Sequence, residues 1–343
     1  MSQDIAKPAK PYFKEINIMR ALAVICVVIG HSFSATSSPT VLGFIKSFVY
    51  CFHMPAFFFI SGFLMKEKSI GKSDRFSKIK TKFIRLMVPY LFLTLVTVAL
   101  KMVFGAFANN PLNYKTVLFD VLIGRNNPNG GLWFLYALFV ISAIGILLNN
   151  IDSRIMFGVT FALSILNHLF FHQNGHILAF ILTYAWFFYG GMMFRTYFYD
   201  KLKNSKLINT IFGRIITAII SVAFLAVAYI KIYLYDFWLL SMFTASVGIL
   251  LLYVISSQIT AMKKDNKIIM SVGKYGMDIY MIGYYVQQSI FVVMGKMLGI
   301  NYYIYAWCMC ILGLILPIVI SKYIVRKSRV LSFLILGQQK VRK

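Results

Sequence analysis

The first residues that could do chemistry are Arg20 and His31, which lie eleven residues apart on one apolar stretch. An α-helix turns about 100° and rises about 1.5 Å per residue, so both side chains fall on one face, roughly 16 Å apart along the axis. This arrangement would suit a long anionic carrier, with its phosphates on Arg20 and its reactive end at His31. The alternative is a snorkelling arginine beside an unrelated, hydrogen-bonded histidine.

The next apolar stretch supplies a second imidazole, His53, two residues before Pro55. This stretch runs antiparallel to the first, so we expect His53 at a depth similar to that of His31. A proline inside a helix distorts it and frees backbone groups that need internal partners or a water-filled cavity. Further along, Ser61 and Gly62 would permit close helix approach. The alternative for His53 is a structural histidine that hydrogen-bonds beside the proline.

The elements that must position these residues are membrane helices, as the composition indicates. Of 343 residues, 59% are hydrophobic and 13% are charged, against roughly 45–50% and about 25% in a typical soluble domain. The apolar residues form blocks long enough to span a bilayer. This composition excludes soluble enzymes, DNA-binding domains and secreted scaffolds. The net charge of +25 does not indicate a nucleic-acid partner, because the charges lie between the apolar blocks.

We predict an all-α integral membrane protein with about ten transmembrane helices. The predicted spans are 17–36, 43–65, 84–107, 131–148, 155–171, 177–196, 211–230, 237–256, 277–297 and 303–324. Alternate connections hold 29 of the 35 Lys and Arg residues, and the positive-inside rule therefore places both termini in the cytoplasm. The six cations of the other side are Lys46, Lys101, Lys115, Arg125, Lys231 and Lys296.

The chain divides into a cytoplasmic N-terminal tail (1–15), one membrane domain (16–325) and a basic cytoplasmic C-terminal tail (326–343). The first apolar block has no small-residue cleavage site, so we interpret it as an uncleaved span. We expect a multi-pass protein of the plasma membrane, whose basic connections contact anionic lipid headgroups. We expect no attached soluble domain.

Three histidines near the predicted external side have the spacing of metal ligands on one helix face: His168, His172 and His176. However, Asn174 and Gly175 interrupt that helix, and no carboxylate is nearby. The four cysteines all lie inside apolar blocks, where thiols behave as small hydrophobes. We therefore predict no metal site and no disulfide framework.

Several ordered motifs together resemble the membrane acyltransferase-3 family, in the version found in fucose 4-O-acetylase-like members. The resemblance covers about Tyr12 to Gly337. Its motifs are Arg20 with His31, the stretch FHMPAFFFISGFL from Phe52 to Leu64, the basic run Lys82 to Arg85 followed by Pro89 and Tyr90, LWFL from Leu132 to Leu135, and VGKYGMDIYMI from Val272 to Ile282.

The chain departs from the family pattern at two positions. Lys82 stands at the first position of the RxxR element, which keeps the charge but loses the planar fork that grips phosphate. Gly283 stands where many members have histidine, so the work of that histidine is either absent here or done by Tyr284 or Gln287. We also expect no fused extracytoplasmic esterase-like domain, and we therefore expect transfer to finish in the membrane domain.

The resemblance implies transfer of an acyl group, mainly acetyl, from cytoplasmic acyl-CoA to hydroxyls of a cell-surface glycan. It implies acyl-CoA as the donor substrate and no permanently bound cofactor. Arg20, Lys82 and Arg85 would bind the coenzyme A phosphates. His31 would act as the base or first accept the acyl group itself. His53 would orient His31, polarise the acceptor or stabilise the oxyanion.

For the glycan acceptor, the resemblance and position favour Trp133, Tyr284 and Gln287. Taken alone, Trp133 is better explained as an aromatic anchor at the membrane interface, and only the LWFL match favours a role in acceptor binding. An exopolysaccharide, capsule or teichoic-type polymer is favoured over peptidoglycan, because we expect no esterase-like domain. The main alternative function is a transporter or flippase for a sugar or lipid-linked glycan, and a structural subunit of a polysaccharide-synthesis complex is a third.

Overall fold

The computed structural model describes residues 12–33, 40–65, 70–105, 116–125, 127–170, 177–204, 207–262 and 266–338, and these residues form helices and connections without a strand. The α-helices are α1 (Lys14–Ser32), α2 (Val41–Tyr50), α3 (His53–Phe63), α4 (Arg75–Val103), α5 (Val117–Leu122), α6 (Trp133–Leu147), α7 (Ser153–Phe170), α8 (Ile177–Tyr197), α9 (Tyr199–Asn204), α10 (Ile211–Tyr233), α11 (Trp238–Thr260), α12 (Lys267–Lys274), α13 (Gly276–Ile290), α14 (Tyr302–Tyr323) and α15 (Arg329–Leu336). The predicted all-helical membrane fold is confirmed.

Within the described residues, eight helical segments are long and apolar enough to cross a membrane. They contain α1, α2 with α3, α4, α7, α8, α10, α11 and α14. The two remaining predicted spans correspond to α6, an apolar helix of 15 residues, and to α13, which continues as a π-helix over Phe291–Met297. The count of ten and the cytoplasmic position of both termini stay predictions.

Helix α1 lies at the centre of the molecule and packs against α2, α3, α11, α12, α13 and α14. Its middle is buried on several sides, where Met19, Ala21 and Ala23 have no exposed surface. Alanine side chains let neighbouring helices approach closely, which is how membrane helices associate without a hydrophobic driving force. A helix surrounded in this way holds its polar side chains, Arg20 and His31, in fixed positions.

The second predicted span is two helices, because the backbone breaks between α2 and α3 at Cys51 and Phe52. The sequence placed the distortion at Pro55, and this is wrong. Pro55 lies in the first turn of α3, where a residue has no intrahelical partner for its N–H and proline is tolerated. The break therefore precedes the proline and leaves α3 regular.

Helices α3 and α8 cross at two glycines, Gly62 and Gly191. A Cβ on Gly62 would lie 1.7 Å from the carbonyl oxygen of Phe188, and a Cβ on Gly191 would lie 2.0 Å from that of Phe59. No side chain fits at either position, so the expectation that Gly62 permits close helix approach is confirmed. This crossing fixes α3, and with it His53, against the rest of the bundle.

The glycines of the VGKYG stretch serve the central helix in the same way. A Cβ on Gly273 would lie 2.2 Å from the carbonyl oxygen of Asn17, and a Cβ on Gly276 would lie 3.2 Å from Cδ of Arg20. Asp278 follows, buried, and accepts two hydrogen bonds from Arg326 at 2.8 and 2.9 Å. This carboxylate therefore ties α13 to the chain after α14.

Candidate active site

His31 lies in the last turn of α1, and two tyrosine rings lie edge-on to its imidazole. The ring centroids of Tyr50, at the end of α2, and Tyr284, on α13, are each 6.4 Å from that of His31. The imidazole is partly exposed, and no hydrogen bond joins it to another of the described residues. Its nitrogens are therefore available to a reactant.

Tyr50 lies between the two histidines of the site. Its ring centroid is 4.8 Å from that of His53, and its side chain is 46% exposed, whereas His53 is only 3% exposed. The close contact of α2 with α1 explains this position, because a Cβ on Gly30 would lie 2.6 Å from the Tyr50 ring. The Tyr50 ring thus contacts both the buried imidazole of His53 and the partly exposed imidazole of His31.

His53 is held by the helix break itself. Its Nδ1 lies 2.7 Å from the carbonyl oxygen of Val49, an oxygen that a continuous helix would have used for the backbone N–H of residue 53. A carbonyl only accepts, so Nδ1 carries the proton and Nε2 of the neutral ring carries the lone pair. The break between α2 and α3 therefore fixes the orientation and the tautomer of this histidine.

Lys46 lies one helical turn before Tyr50 on α2, so the two side chains share a face. The Nζ atom is 5.8 Å from the centroid of the Tyr50 ring, and its positive charge acts on His31. We refer to His31, Lys46, Tyr50 and Tyr284 as the His31 cluster. It combines a base, a cation and two aromatic rings contributed by three helices.

Gln287 is buried and fastens α13 to the end of α1. Its Nε2 donates to the carbonyl oxygen of Val28 at 2.9 Å and to Oγ of Ser32 at 2.8 Å. Both amide protons are therefore used within the protein. Because Tyr284 lies one turn earlier on the same helix, these bonds hold its ring beside His31.

Polar side chains on the other side of α13 secure the connection before α6. The hydroxyl of Tyr285 donates to the carbonyl oxygen of Leu93 at 2.8 Å and lies 2.9 Å from Oγ1 of Thr97. Nδ2 of the buried Asn129 lies 3.5 Å from the same hydroxyl. The hydroxyl of Tyr280 donates to the carbonyl oxygen of Gly131. The connection before α6, which holds Asn129 and Gly131, is therefore docked on α4 and α13.

Trp133 belongs to a separate aromatic stack between α3, α6 and α8. Its ring centroid is 4.2 Å from that of Phe180 and 5.4 Å from that of Tyr184. Phe58 extends the stack, with its ring 5.1 Å from Tyr184. No ring contact joins Trp133 to His31 within the described residues, so the structure does not bring this candidate into the His31 cluster.

Arg20, near the opposite end of α1, forms the second part of the candidate site together with α4. The positive charge of Arg85 acts on Arg20, so two guanidinium groups from different helices lie near each other. No ion pair joins Arg20 to a carboxylate of the described residues. Lys82 lies one turn before Arg85 on α4. Such a concentration of cations favours binding of phosphate groups.

Two contacts fix the surroundings of these cations. The side chain of Arg20 packs on Gly276, and Gly337, which ends α15 with a φ of 59°, approaches the backbone of Arg85. Nearby on α1, the buried carboxylate of Glu15 accepts a hydrogen bond from the hydroxyl of Tyr199. Burial, together with this carboxylate, raises the pKa of Tyr199 above its ordinary value. Packing and hydrogen bonds therefore hold the end of α1 near Arg20 in place, as they do the end near His31.

Comparison with known proteins decides the class of this molecule. The family model for an acyltransferase domain matches residues 13–322, which is most of the chain. The chain belongs to the acyltransferase-3 family. No curated protein and no solved structure matches it. The enzyme is therefore a membrane acyltransferase, and the matched range contains all eight residues that the sequence proposed for the site.

The acyltransferase brings some of these eight residues together and separates others. Tyr284 and Gln287 lie at the His31 end of α1. His53 contacts the Tyr50 ring, which in turn contacts His31. Arg20 lies with Arg85 at the other end. The sequence interpretation missed Tyr50 and the position of Lys46. A signal existed, because Lys46 falls inside the predicted span 43–65 and an ionisable group there is a functional candidate.

The described residues of the acyltransferase contain no group of His, Cys, Asp and Glu side chains suited to hold a metal ion. His168 binds the carbonyl oxygen of Ser164 at 2.8 Å and packs against Trp238. His172 and His176 lie outside the described residues.

Proposed function

We propose that this acyltransferase moves an acetyl group from cytoplasmic acyl-CoA to a hydroxyl of a cell-surface glycan at the plasma membrane. The observation that carries the proposal is that the two ends of α1 have different chemical environments. Arg20 and Arg85 concentrate positive charge at one end, and His31 lies among tyrosine rings at the other. Phosphates and a sugar hydroxyl need these two environments.

The donor binds at the cation end in this proposal. Coenzyme A carries several phosphate charges, and Arg20, Lys82 and Arg85 attract and orient them through charge-assisted hydrogen bonds. The long pantetheine arm then follows the face of α1 that Arg20 and His31 share. Eleven residues of helix give a rise of roughly 16 Å, a length that such an extended arm can cover.

The reaction at His31 is an acyl transfer with general base catalysis. The imidazole takes the proton of the acceptor hydroxyl while the oxygen attacks the thioester carbonyl carbon. The tetrahedral intermediate then collapses, the C–S bond breaks, and the coenzyme A thiolate leaves and takes up the proton from His31. The products are the O-acetyl ester and coenzyme A, and the imidazole is neutral again.

Neighbouring side chains position the reactants for this step. Gln287 keeps α13 on the end of α1, and Tyr50 and Tyr284 give the sugar apolar ring faces beside the base. His53 presents Nε2 from a fixed ring and polarises the acceptor or the developing oxyanion. Trp133 contributes to acceptor binding as part of the aromatic stack between α3, α6 and α8.

The test measures transfer from labelled acetyl-CoA in purified full-length enzyme and in membranes, with label followed in protein and in extracted glycan. We expect wild type to label glycan and His31→Ala to lose about 10²–10⁴-fold in rate, the usual contribution of a general base. His168→Ala is the matched control, because His168 makes its own helix-backbone bond away from the cluster. Full glycan labelling by His31→Ala overturns the assignment of the base.

The same experiment separates the proposal from its rivals. If the wild-type protein carries label and His31→Ala does not, His31 accepts the acyl group covalently instead of acting as a base. A folded, abundant wild type that labels neither glycan nor protein would favour the transporter or flippase, and sugar flux would then be measured. If the protein is a structural subunit, glycan labelling in membranes is the same for wild type and His31→Ala.

A further inference from the structure

Lys46 is a cation whose side chain turns into the site. Along α2, Phe44 and Phe48 face α10 and the break before α3, where they contact rings such as Tyr229 and Phe52. Lys46 and Tyr50 lie on the opposite part of the helix, towards α1. The half-buried ammonium lies over the Tyr50 ring, and its charge acts on His31. A snorkelling lysine would extend away from these groups.

The neighbouring helices provide no carboxylate for Lys46 within the described residues. Glu15 of α1 accepts the hydroxyl of Tyr199 near the opposite end of that helix. Asp278 of α13 pairs with Arg326 at 2.8 Å. Asp236, between α10 and α11, pairs with Lys231 at 3.0 Å. Every acidic group of the surrounding elements thus has another partner.

A half-buried cation in this position has lost part of its hydration without gaining a carboxylate among the described residues. Removing charge from water is costly unless an opposite charge or several hydrogen bonds replace the lost hydration. The Tyr50 ring face supplies only a weak attraction at a partly exposed site. An anion brought by the substrate would supply the rest, and it would arrive within reach of His31.

We propose that the acceptor is an acidic glycan, and that Lys46 binds its carboxylate or phosphodiester while His31 deprotonates a nearby hydroxyl. This inference rests on the proposed acetyl transfer. Lys46 and Tyr50 are one turn apart, so their Cβ atoms are about 5–6 Å from each other, which is the scale of one sugar ring. The exposed Tyr50 ring supports the sugar while Lys46 holds the acid group on the same or the adjoining residue.

The experiment compares wild type with Lys46→Gln, Lys46→Arg and Lys296→Gln as full-length enzymes in nanodiscs of zwitterionic phosphatidylcholine. Lys296→Gln is the matched control, because Lys296 also lies over an aromatic ring, that of Phe291, on the same predicted side, and it does not belong to the His31 cluster. Labelled acetyl transfer is measured with three probes: oligogalacturonate, poly(glycerol phosphate) and neutral oligogalactose. The label transferred to glycan by membranes is also separated by anion exchange.

We expect the native label to be retained on the anion exchanger. Among the probes, we expect one acidic probe to be acetylated in preference to oligogalactose, and the preferred probe distinguishes carboxylate from phosphodiester. Lys46→Gln should raise the KM of that probe about tenfold, the equivalent of one charge-assisted contact, with the KM of acetyl-CoA unchanged. Lys46→Arg should restore most of the affinity, and Lys296→Gln should resemble wild type.

Three results overturn the inference. Native label in the neutral fraction shows that the acceptor is not acidic. An unchanged glycan KM in Lys46→Gln removes Lys46 from recognition, and an altered acetyl-CoA KM reassigns it to the donor. If the proposed function itself fails, wild type transfers acetyl to no glycan. Equilibrium binding of oligogalacturonate and poly(glycerol phosphate) to wild type and to Lys46→Gln then tests the role of Lys46 by itself.

Discussion

At the scale of single residues, the two histidines differ in what holds them. His31 is bounded by the rings of Tyr50 and Tyr284 and makes no hydrogen bond to another described residue. His53 is buried and donates from Nδ1 to Val49. A general base must reach the proton that it removes, so His31 is suited to the reacting position and His53 to a fixed supporting one.

Two substitutions of His53 separate its hydrogen bond from its lone pair. The amide nitrogen of asparagine can reproduce the Nδ1 donor to Val49, but asparagine has no Nε2. We therefore expect His53→Asn to keep nearly wild-type thermal stability and His53→Ala to lose about 1–2 kcal/mol of unfolding free energy. Both should lower kcat about 100-fold. Stability is followed by thermal unfolding in detergent, and kcat by acetyl transfer.

The comparison distinguishes a positioning role from a purely structural one. If His53→Asn keeps the wild-type kcat, the lone pair of Nε2 takes no part in the reaction and His53 only secures the helix break. If His53→Asn is as unstable as His53→Ala, the bond to Val49 is not the contact that holds this histidine. His168→Asn is a suitable control, because it changes a similar imidazole-to-carbonyl bond outside the site.

At the scale of elements, the crossing of α3 and α8 is the contact most sensitive to a single atom. We expect Gly62→Ala to destabilise the enzyme by about 3 kcal/mol or more, because its Cβ would overlap the carbonyl oxygen of Phe188, which is backbone and cannot move alone. Activity should fall with the folded fraction, since α3 carries His53. Unfolding in detergent and the yield of monodisperse protein measure the effect.

Gly158→Ala is the matched control for this substitution. Gly158 also lies inside a helix, α7, but a Cβ there meets nothing within 4 Å. Alanine is the better helix former by about 1 kcal/mol, so this variant should be as stable as wild type or slightly more stable. Equal stability of Gly62→Ala and Gly158→Ala would contradict the close crossing.

The elements also show what the sequence could and could not predict. Apolar blocks and charge placement located the spans well, because each depends on local composition. The break between α2 and α3 was misplaced at Pro55, because it occurs within a continuous apolar run where proline was the visible signal. The contacts of Tyr50 with His31 and of Gln287 with Ser32 join residues distant in sequence. No local pattern encodes such neighbours.

At the scale of the whole molecule, α1 is an axis with a different chemical environment at each end. Around one end, charge accumulates from α1 and α4, and around the other, aromatic rings come from α2 and α13. The sequence predicted that one helix carries both Arg20 and His31, and α1 contains both. The identity of the surrounding helices required the folded structure.

This division predicts a separation of kinetic effects between the two ends. Arg20→Ala should raise the KM of acetyl-CoA about tenfold, because one charge-assisted phosphate contact is lost, and should leave the KM of the glycan unchanged. Tyr284→Ala should do the reverse, because it removes a ring beside His31. Initial rates with each substrate varied in turn measure both constants.

The control is Arg214→Ala, which removes an exposed arginine from the same predicted membrane side as Arg20. It lowers the total positive charge equally, so a general loss of attraction for coenzyme A would appear in both arginine variants. An effect confined to Arg20→Ala assigns the donor to this end of α1. If Arg20→Ala instead raises both KM values together, the two substrates share one pocket, and α1 is not an axis with separate ends.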